Sequence, residues 1–301
     1  MAAVGCAGLW IVVTPQTRFA PNDRLVVTFI DVGQGAATLV RFPSGHSMLV
    51  DAGGAAGGRF DIGRRVVEPV MWAMGVQRPT RVVATHGDAD HVGGAASVIR
   101  DLRPSEVWEG VPVPPEPMLQ RMRVLATAAG ATWRKVQRGD AVWFGGVEVV
   151  TWHPVLPGWE RQRVRNDDSV VVELRMGVVS VLLTGDVETS AEAELARILP
   201  PAGVRVLQAP HHGSATSSTW RLLKAAAPDL VVISAGRGNR YGHPHHAVLE
   251  RYRSIGAHIL RTDLEGAITV RTDGSLVEVS TFTGRRLTLH ASTPGRLVPP
   301  A

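Results

Sequence analysis

A single cysteine, Cys6, in 301 residues leaves the chain without an intramolecular disulfide and without a cysteine-rich zinc site. Lysine is almost as scarce, present only at Lys135 and Lys224, so arginine carries the net charge of +5. No dense basic tract interleaved with aromatics occurs. Charge alone therefore assigns no nucleic-acid partner, although a basic balance favours polyanions in general. Internal repeats and low-complexity blocks are also missing, and the Gly and Pro are spread along the chain, as in an ordinary globular protein. The apolar run Ala2–Val13 has about twelve residues where a bilayer span needs roughly twenty. No basic residue precedes it, so it matches a secretory signal poorly. Residues 1–24 are expected to be a short apolar anchor, or the stub of a membrane helix whose upstream part lies outside this chain, followed by a linker.

What is present is a succession of short β-branched runs punctuated by Gly and Pro. Leu25–Ile30, Ala37–Phe42 and Ser47–Val50 read as a meander with turns at Gly33-Gln34-Gly35 and Pro43-Ser44-Gly45. Helical spacing follows from Gly63 to Met74, then a strand at Arg81–Ala84, a helix from Val92 to Leu102, a strand near Val107-Trp108 and a helix from Pro115 to Ala129 closed by Gly130. A second meander is expected near Val147–Val150, Ser169–Leu174 and Val179–Leu183. Strand and helix alternate from there to Ala267–Arg271. Two β-rich halves, each with helices, suit an α/β layered fold of two face-to-face sheets covered by helices. The single domain is expected over 25–285, with a loose tail at 286–301.

The densest chemistry lies in Thr85-His86-Gly87-Asp88-Ala89-Asp90-His91, directly after the strand Arg81–Ala84. Imidazole nitrogen and carboxylate oxygen are ligands of borderline and hard divalent cations, and a loop at a strand end can aim several at one point. A polar turn capping a helix would use one Asp. Two His and two Asp so close together concentrate charge and desolvated imidazole that a cation would relieve.

Further polar residues stand at other strand ends. Asp31 and Asp51 precede glycine-rich turns and read as turn-formers or as groups that orient ligands. Asn166-Asp167-Asp168-Ser169 leads into a strand and could supply a weak oxygen ligand, a hydrogen bond to substrate or a capped turn. Asp186 ends the apolar Leu182-Leu183 and is placed to bridge two cations. Of the adjacent His211 and His212, one is expected to be a ligand and the other to orient a carboxylate or substrate. His243 is a candidate for chemistry, while His245 and His246 are expected in solvent on a first helical turn. His46, His153, His258 and His290 read as structural.

Taken in order, Phe29–Gly35, Leu49–Gly54, the His86 loop, Thr184-Gly185-Asp186, Pro210–Ser214, Tyr241–Pro244 and Arg261-Thr262-Asp263 with Gly266 resemble the metallo-β-lactamase superfamily. Within it they resemble the C-terminal hydrolase domain of the ComEC family of DNA-uptake proteins. The resemblance implies an αββα sandwich with the site at one edge. It also implies two divalent cations, Zn²⁺ or Mn²⁺. His86 and Asp88 would begin one cation site, and Asp90, His91 and His212 would form the other, with Asp186 between them. Asp88 stands where most of the superfamily has His, and Asn166–Ser169 replaces a separate His. The carboxylate-rich set that results gives Mn²⁺ equal standing with Zn²⁺.

The implied activity is a phosphodiesterase or nuclease acting on single-stranded DNA during uptake. Asp90 would orient and deprotonate water, and His243 or His211 would protonate the leaving group. A membrane channel protein would be the partner, with the chain membrane-associated on the extracytoplasmic side or soluble. Oligomeric state is not implied. The alternatives are a non-catalytic module guiding single-stranded DNA, and a hydrolase of a lactone, thioester or cyclic nucleotide.

Overall fold

The protein is described from a computed structural model covering residues 23–54, 60–155 and 160–291. The expected N-terminal anchor and the last ten residues lie outside the described residues. Among the described residues, no helix is long and apolar enough to cross a membrane.

Strands β1 (Leu25–Phe29), β2 (Thr38–Arg41) and β3 (Ser47–Val50) form the first antiparallel meander, as the turn chemistry predicts. Strands β4 (Arg81–Ala84), β5 (Glu106–Glu109) and β6 (Thr132–Lys135) extend it in parallel through helical crossovers. The second sheet opens with an antiparallel run of β7 (Ala141–Phe144), β8 (Val147–His153), β9 (Val171–Met176) and β10 (Val179–Leu183). It continues in parallel with β11 (Val204–Gln208), β12 (Leu230–Ile233) and β13 (His258–Arg261). The chain then returns to the first sheet as β14 (Ile268–Thr272), β15 (Leu276–Thr281) and β16 (Arg286–His290). The nine-stranded sheet runs β16-β15-β14-β1-β2-β3-β4-β5-β6, and the seven-stranded sheet β13-β12-β11-β10-β9-β8-β7.

Period-2 alternation sorts the apolar side chains between layers. Met48 and Val50 of β3 face the core between the sheets, and Leu49 faces the outer helices. In β12, Leu230 and Val232 point inward while Val231 and Ile233 point outward. Helices Ala95–Leu102 and Pro117–Ala129 bury Val98, Ile99, Leu119 and Met122 on the first sheet. Helices Thr189–Ile198, Trp220–Ala226 and His246–Ser254 bury Leu195, Leu222 and Val248 on the second. The result is the expected layered sandwich. Burial of each such side chain contributes about 1.5–3 kcal/mol, which leaves the strand ends free for polar chemistry.

Four strands escape the sequence reading. Strands β6 and β7 are edge strands whose exposed faces break the apolar alternation. Strand β15 follows the last expected strand, and β16 occupies the start of the supposed tail, placing His290 in a strand. There Leu287 and Leu289 alternate with polar residues and pair with Val279 and Val277, so the ordered domain reaches at least His290. The helix expected from Val92 is split into Ala89–Val92 and Ala95–Leu102 around Gly93-Gly94.

Candidate metal centre

The cluster sits beyond the carboxyl ends of strands from both sheets, where side chains from successive loops converge. The loop after β4 supplies His86, Asp88, Asp90 and His91. Asp51 follows β3, Asp186 follows β10, His211 and His212 follow β11, and His243 lies on the loop after β12. Close packing of these loops requires glycine, as two positions show. A Cβ on Gly35 would run into the carbonyl of Asp90, and one on Gly185, at φ 54°, would come within 2.9 Å of both Thr85 and Ser169. His211 and His212 hold left-handed φ values of 48° and 54°, the kind of backbone strain that collects at functional sites.

Two sets of candidate ligand atoms emerge. His91 Nε2 and His212 Nε2 face each other at 3.2 Å, Asp186 Oδ1 lies 3.0 Å from the first and 3.6 Å from the second, and Asp90 Oδ2 lies 3.3 Å from His212 Nε2. Metal–ligand bonds of about 2.0–2.2 Å set ligand atoms of a tetrahedral site roughly 3.3–3.6 Å apart, so these spacings suit one cation. On the other side of Asp186, Oδ2 lies 4.0 Å from His86 Nε2 and 3.7 Å from His211 Nε2, while Asp88 Oδ2 lies 3.4 Å from His86 Nε2. Candidate ligand groups include His86, His91 and Asp186 together, and Asp90, His91 and His212 together.

Hydrogen bonds orient the imidazoles. His91 Nδ1–H donates to Asp51 Oδ2 at 2.7 Å, and His212 Nδ1–H donates to the Ser234 carbonyl at 2.8 Å, which leaves both Nε2 lone pairs for the cluster. Asp51 also accepts from Thr85 N–H at 2.9 Å and Thr85 Oγ–H at 2.8 Å. With its proton committed to Asp51, Thr85 Oγ can accept from His86 Nδ1–H at 3.1 Å. Buried His86 Nε2 then has no hydrogen-bond partner, which is costly unless a cation satisfies it. Asp88 occupies a helix N-cap position but makes no capping hydrogen bond, so the simple capping role does not account for it. Every donor present is nitrogen or carboxylate oxygen, a set that fits a divalent cation.

The electrostatics show the same demand for positive charge. Burial alone would lower the His91 pKa, but Asp186 and Asp51 raise it well above the ordinary imidazole value. Asp186 is held well below the carboxylate range by His91 and His212 despite its burial, and Asp90 is held at about 2 by the hydrogen bond to His212. A proton on His91 thus occupies ground that a cation would claim, and cation binding would release it. His243 goes the other way: burial, reinforced by His211 and His212, lowers its pKa, and its buried Nδ1 has no partner.

Asp31 is the expected residue that stays out of this network. It is exposed, and its Oδ1 accepts from Gly33 N–H at 3.1 Å within its own turn. Ser169 Oγ accepts from Asp186 N–H at 3.1 Å and lies 3.3 Å from His86 Nδ1, while Asn166 Nδ2 stands 3.4 Å from the His211 ring. Sequence reasoning missed Thr85, although it abuts His86. It also missed Glu188, whose Oε1 lies 3.1 Å from His211 Nδ1 two residues after Asp186, and Ser234, which acts through a carbonyl and leaves no side-chain signal. His153, read as structural, donates from Nδ1 to the Ser169 carbonyl at 2.9 Å and so supports that loop.

Residues 30–237 match the metallo-beta-lactamase superfamily. Among curated relatives, ComE operon protein 3 of Bacillus subtilis (strain 168) is 29% identical over 256 residues, 81% of this chain and 33% of that protein. Competence protein ComA of Neisseria gonorrhoeae is 33% identical over 257 residues, 85% of this chain and 33% of that protein. The chain thus spans about a third of the length of these relatives. The metallo-beta-lactamase fold protein YhfI from Bacillus subtilis superposes with a TM-score of 0.54 at 10% identity, covering 83% of this chain and all of that one. CmlA, a diiron beta-hydroxylase from Streptomyces venezuelae, superposes with a TM-score of 0.51 at 17% identity over 82% of this chain and 54% of that one. Both show the fold alone. The family match, the layered sandwich and the His–Asp cluster at its edge agree: the chain belongs to the metallo-beta-lactamase superfamily, with competence proteins of the ComEC family among its relatives.

Proposed function

We propose that the chain is a metal-dependent phosphodiesterase acting on single-stranded DNA in competence-related uptake, with two divalent cations, Zn²⁺ or Mn²⁺. The observation that carries the reading is the facing pair of His91 and His212 Nε2 atoms, 3.2 Å apart, beside Asp186. His91, His212, Asp90 and Asp186 Oδ1 would hold one cation, and His86, Asp88 and Asp186 Oδ2 the other. Such a pair supplies charge neutralisation for the phosphate and a water of lowered pKa.

Among the chain's own groups, Asp90, whose Oδ2 lies 3.3 Å from His212 Nε2, would orient the attacking water and take its proton. His243, whose pKa is lowered, presents a neutral imidazole that donates an N–H bond to a phosphoryl or leaving oxygen. His211, tied to Glu188, is the other proton carrier at the open side of the cluster. Relatives named for competence support DNA as the substrate. Because they are far longer than this chain, a membrane channel protein is the proposed partner and membrane association on the extracytoplasmic side the proposed location.

The test is digestion of single- and double-stranded DNA by metal-stripped protein reloaded with Mn²⁺, Zn²⁺ or Mg²⁺. The expected result is metal-dependent cleavage that weakens as salt rises. Binding without cleavage by any of the three ions would make the chain a guiding module. Hydrolysis of small esters with DNA ignored would make it a small-molecule hydrolase.

A further inference from the structure

Outside the ligand cluster, the loop Gly236–His243 presents an aromatic ring that the proposed chemistry does not use. Tyr241 is 55% exposed, and its ring stacks on His243 with centroids 5.9 Å apart and planes 25° apart. His243 in turn stacks on His212 at 6.3 Å and 23°. Two ring steps thus lead from solvent to a candidate ligand. The exposed Arg240 lies with its guanidinium carbon 5.1 Å from the Tyr241 centroid and donates to Tyr241 Oη at 3.0 Å. Arg237, also exposed and on the same loop, donates to the Asp263 carbonyl at 3.3 Å.

The loop is built to hold this ring. Asn239 Nδ2 donates to the carbonyls of Gly236 and His243, at 3.0 and 2.6 Å, and its Oδ1 accepts from Tyr241 N–H and His243 N–H, at 3.2 and 3.1 Å. Gln34 Oε1 accepts from Gly236 N–H at 3.1 Å and ties the loop to the first sheet. One amide side chain fixes the backbone on which both rings are mounted. Ordering a large ring in solvent without burying it gains little in the free protein, whereas a pre-positioned π-face lowers the cost of receiving a flat ligand.

We propose that Tyr241 is a stacking platform for an unpaired nucleobase adjoining the phosphodiester at the metal centre, with Arg240 and Arg237 set against the neighbouring phosphates. This rests on the phosphodiesterase reading above and adds the feature of the substrate that the site selects. A π-face beside guanidinium groups suits single-stranded nucleic acid, because every base offers a face for stacking and every linkage a charge. Paired bases keep their faces inside the duplex, so the platform selects single strands or frayed ends. Tyr241 acts here as a positioning residue, since it reaches the reacting phosphate only through the base.

The test is equilibrium binding by the full chain, stripped of metal, of a short oligonucleotide with 2-aminopurine at one position. Quenching of the probe as it stacks is expected at one register. Tyr241→Ala should weaken binding by roughly 5- to 150-fold, the span that base–aromatic stacking covers by alanine substitution. Tyr241→Phe should restore it, and an oligonucleotide abasic at the quenched position should bind wild type as weakly as the intact one binds Tyr241→Ala. Unchanged affinity in Tyr241→Ala, or an abasic strand bound as tightly as an intact one, overturns the platform. Quenching and Tyr241 dependence in a protein that cuts DNA with none of the three ions would uphold the platform and defeat the phosphodiesterase reading. Metal-dependent cleavage with no Tyr241 or base dependence would do the reverse.

Discussion

The two sides of Asp186 are built differently. On the Oδ1 side, His91 and His212 are buried, and each Nδ1 has a strong acceptor, a carboxylate at 2.7 Å and a backbone carbonyl at 2.8 Å. On the Oδ2 side, the Asp88 side chain is 46% exposed, His211 is 20% exposed, and His86 Nδ1 faces only hydroxyls at 3.1 and 3.3 Å. The ligand imidazoles are thus oriented firmly in one half and loosely in the other. Fixed ligands spend less free energy on ordering when a cation arrives, so the proposed ions should differ in affinity, one tight and one exchangeable.

The largest effect should come from removing what the halves share. Asp186→Ala is expected to abolish hydrolysis and to deplete both ions, measured as metal content after desalting; wild-type stoichiometry and turnover would refute the bridging role. Next come changes confined to the firm side. His212→Ala should lose the tight ion, and Asp51→Ala, which leaves every ligand in place, should weaken that ion by about 10- to 100-fold, as read by competition with a chromophoric chelator. On the loose side, Asp88→Ala should keep one tight ion and recover activity when free metal is raised. Recovery at no concentration would show that the halves do not act separately. Ser169→Ala should have the smallest effect. It removes the hydroxyl that accepts from Asp186 N–H and approaches His86 Nδ1; a hydrogen bond of this kind contributes about 0.5–1.5 kcal/mol, so the weaker affinity should change by roughly 2- to 10-fold.

The candidate ligands of both sides are legible in the sequence because they are local or sit at strand ends. Asp90 and His91 share one loop, and Asp51, Asp186 and the His211-His212 pair each follow an apolar strand. The alternation that marks those strands also fixes the sandwich. What stayed hidden lies where side-chain identity says little: the Ser234 carbonyl, the Thr85 hydroxyl relaying between Asp51 and His86, and Glu188 beside His211. Asp31 kept two readings, turn-former or orienting group, for the converse reason. An Asp before a Gly-rich turn looks alike whether it turns the chain or serves a site, and here it turns the chain. Strands β6, β7, β15 and β16 were missed because strands at or next to a sheet edge carry polar residues that blur the period of two.

The measurement that tests the central claim most directly is calorimetric titration of Mn²⁺ or Zn²⁺ into metal-stripped protein, with Asp88→Ala alongside. The expected result is two binding steps of unequal affinity in the wild type, with only the weaker step lost in the variant. A single step, two steps of equal affinity, or loss of the tighter step in Asp88→Ala would contradict a firm and a loose cation site joined through Asp186.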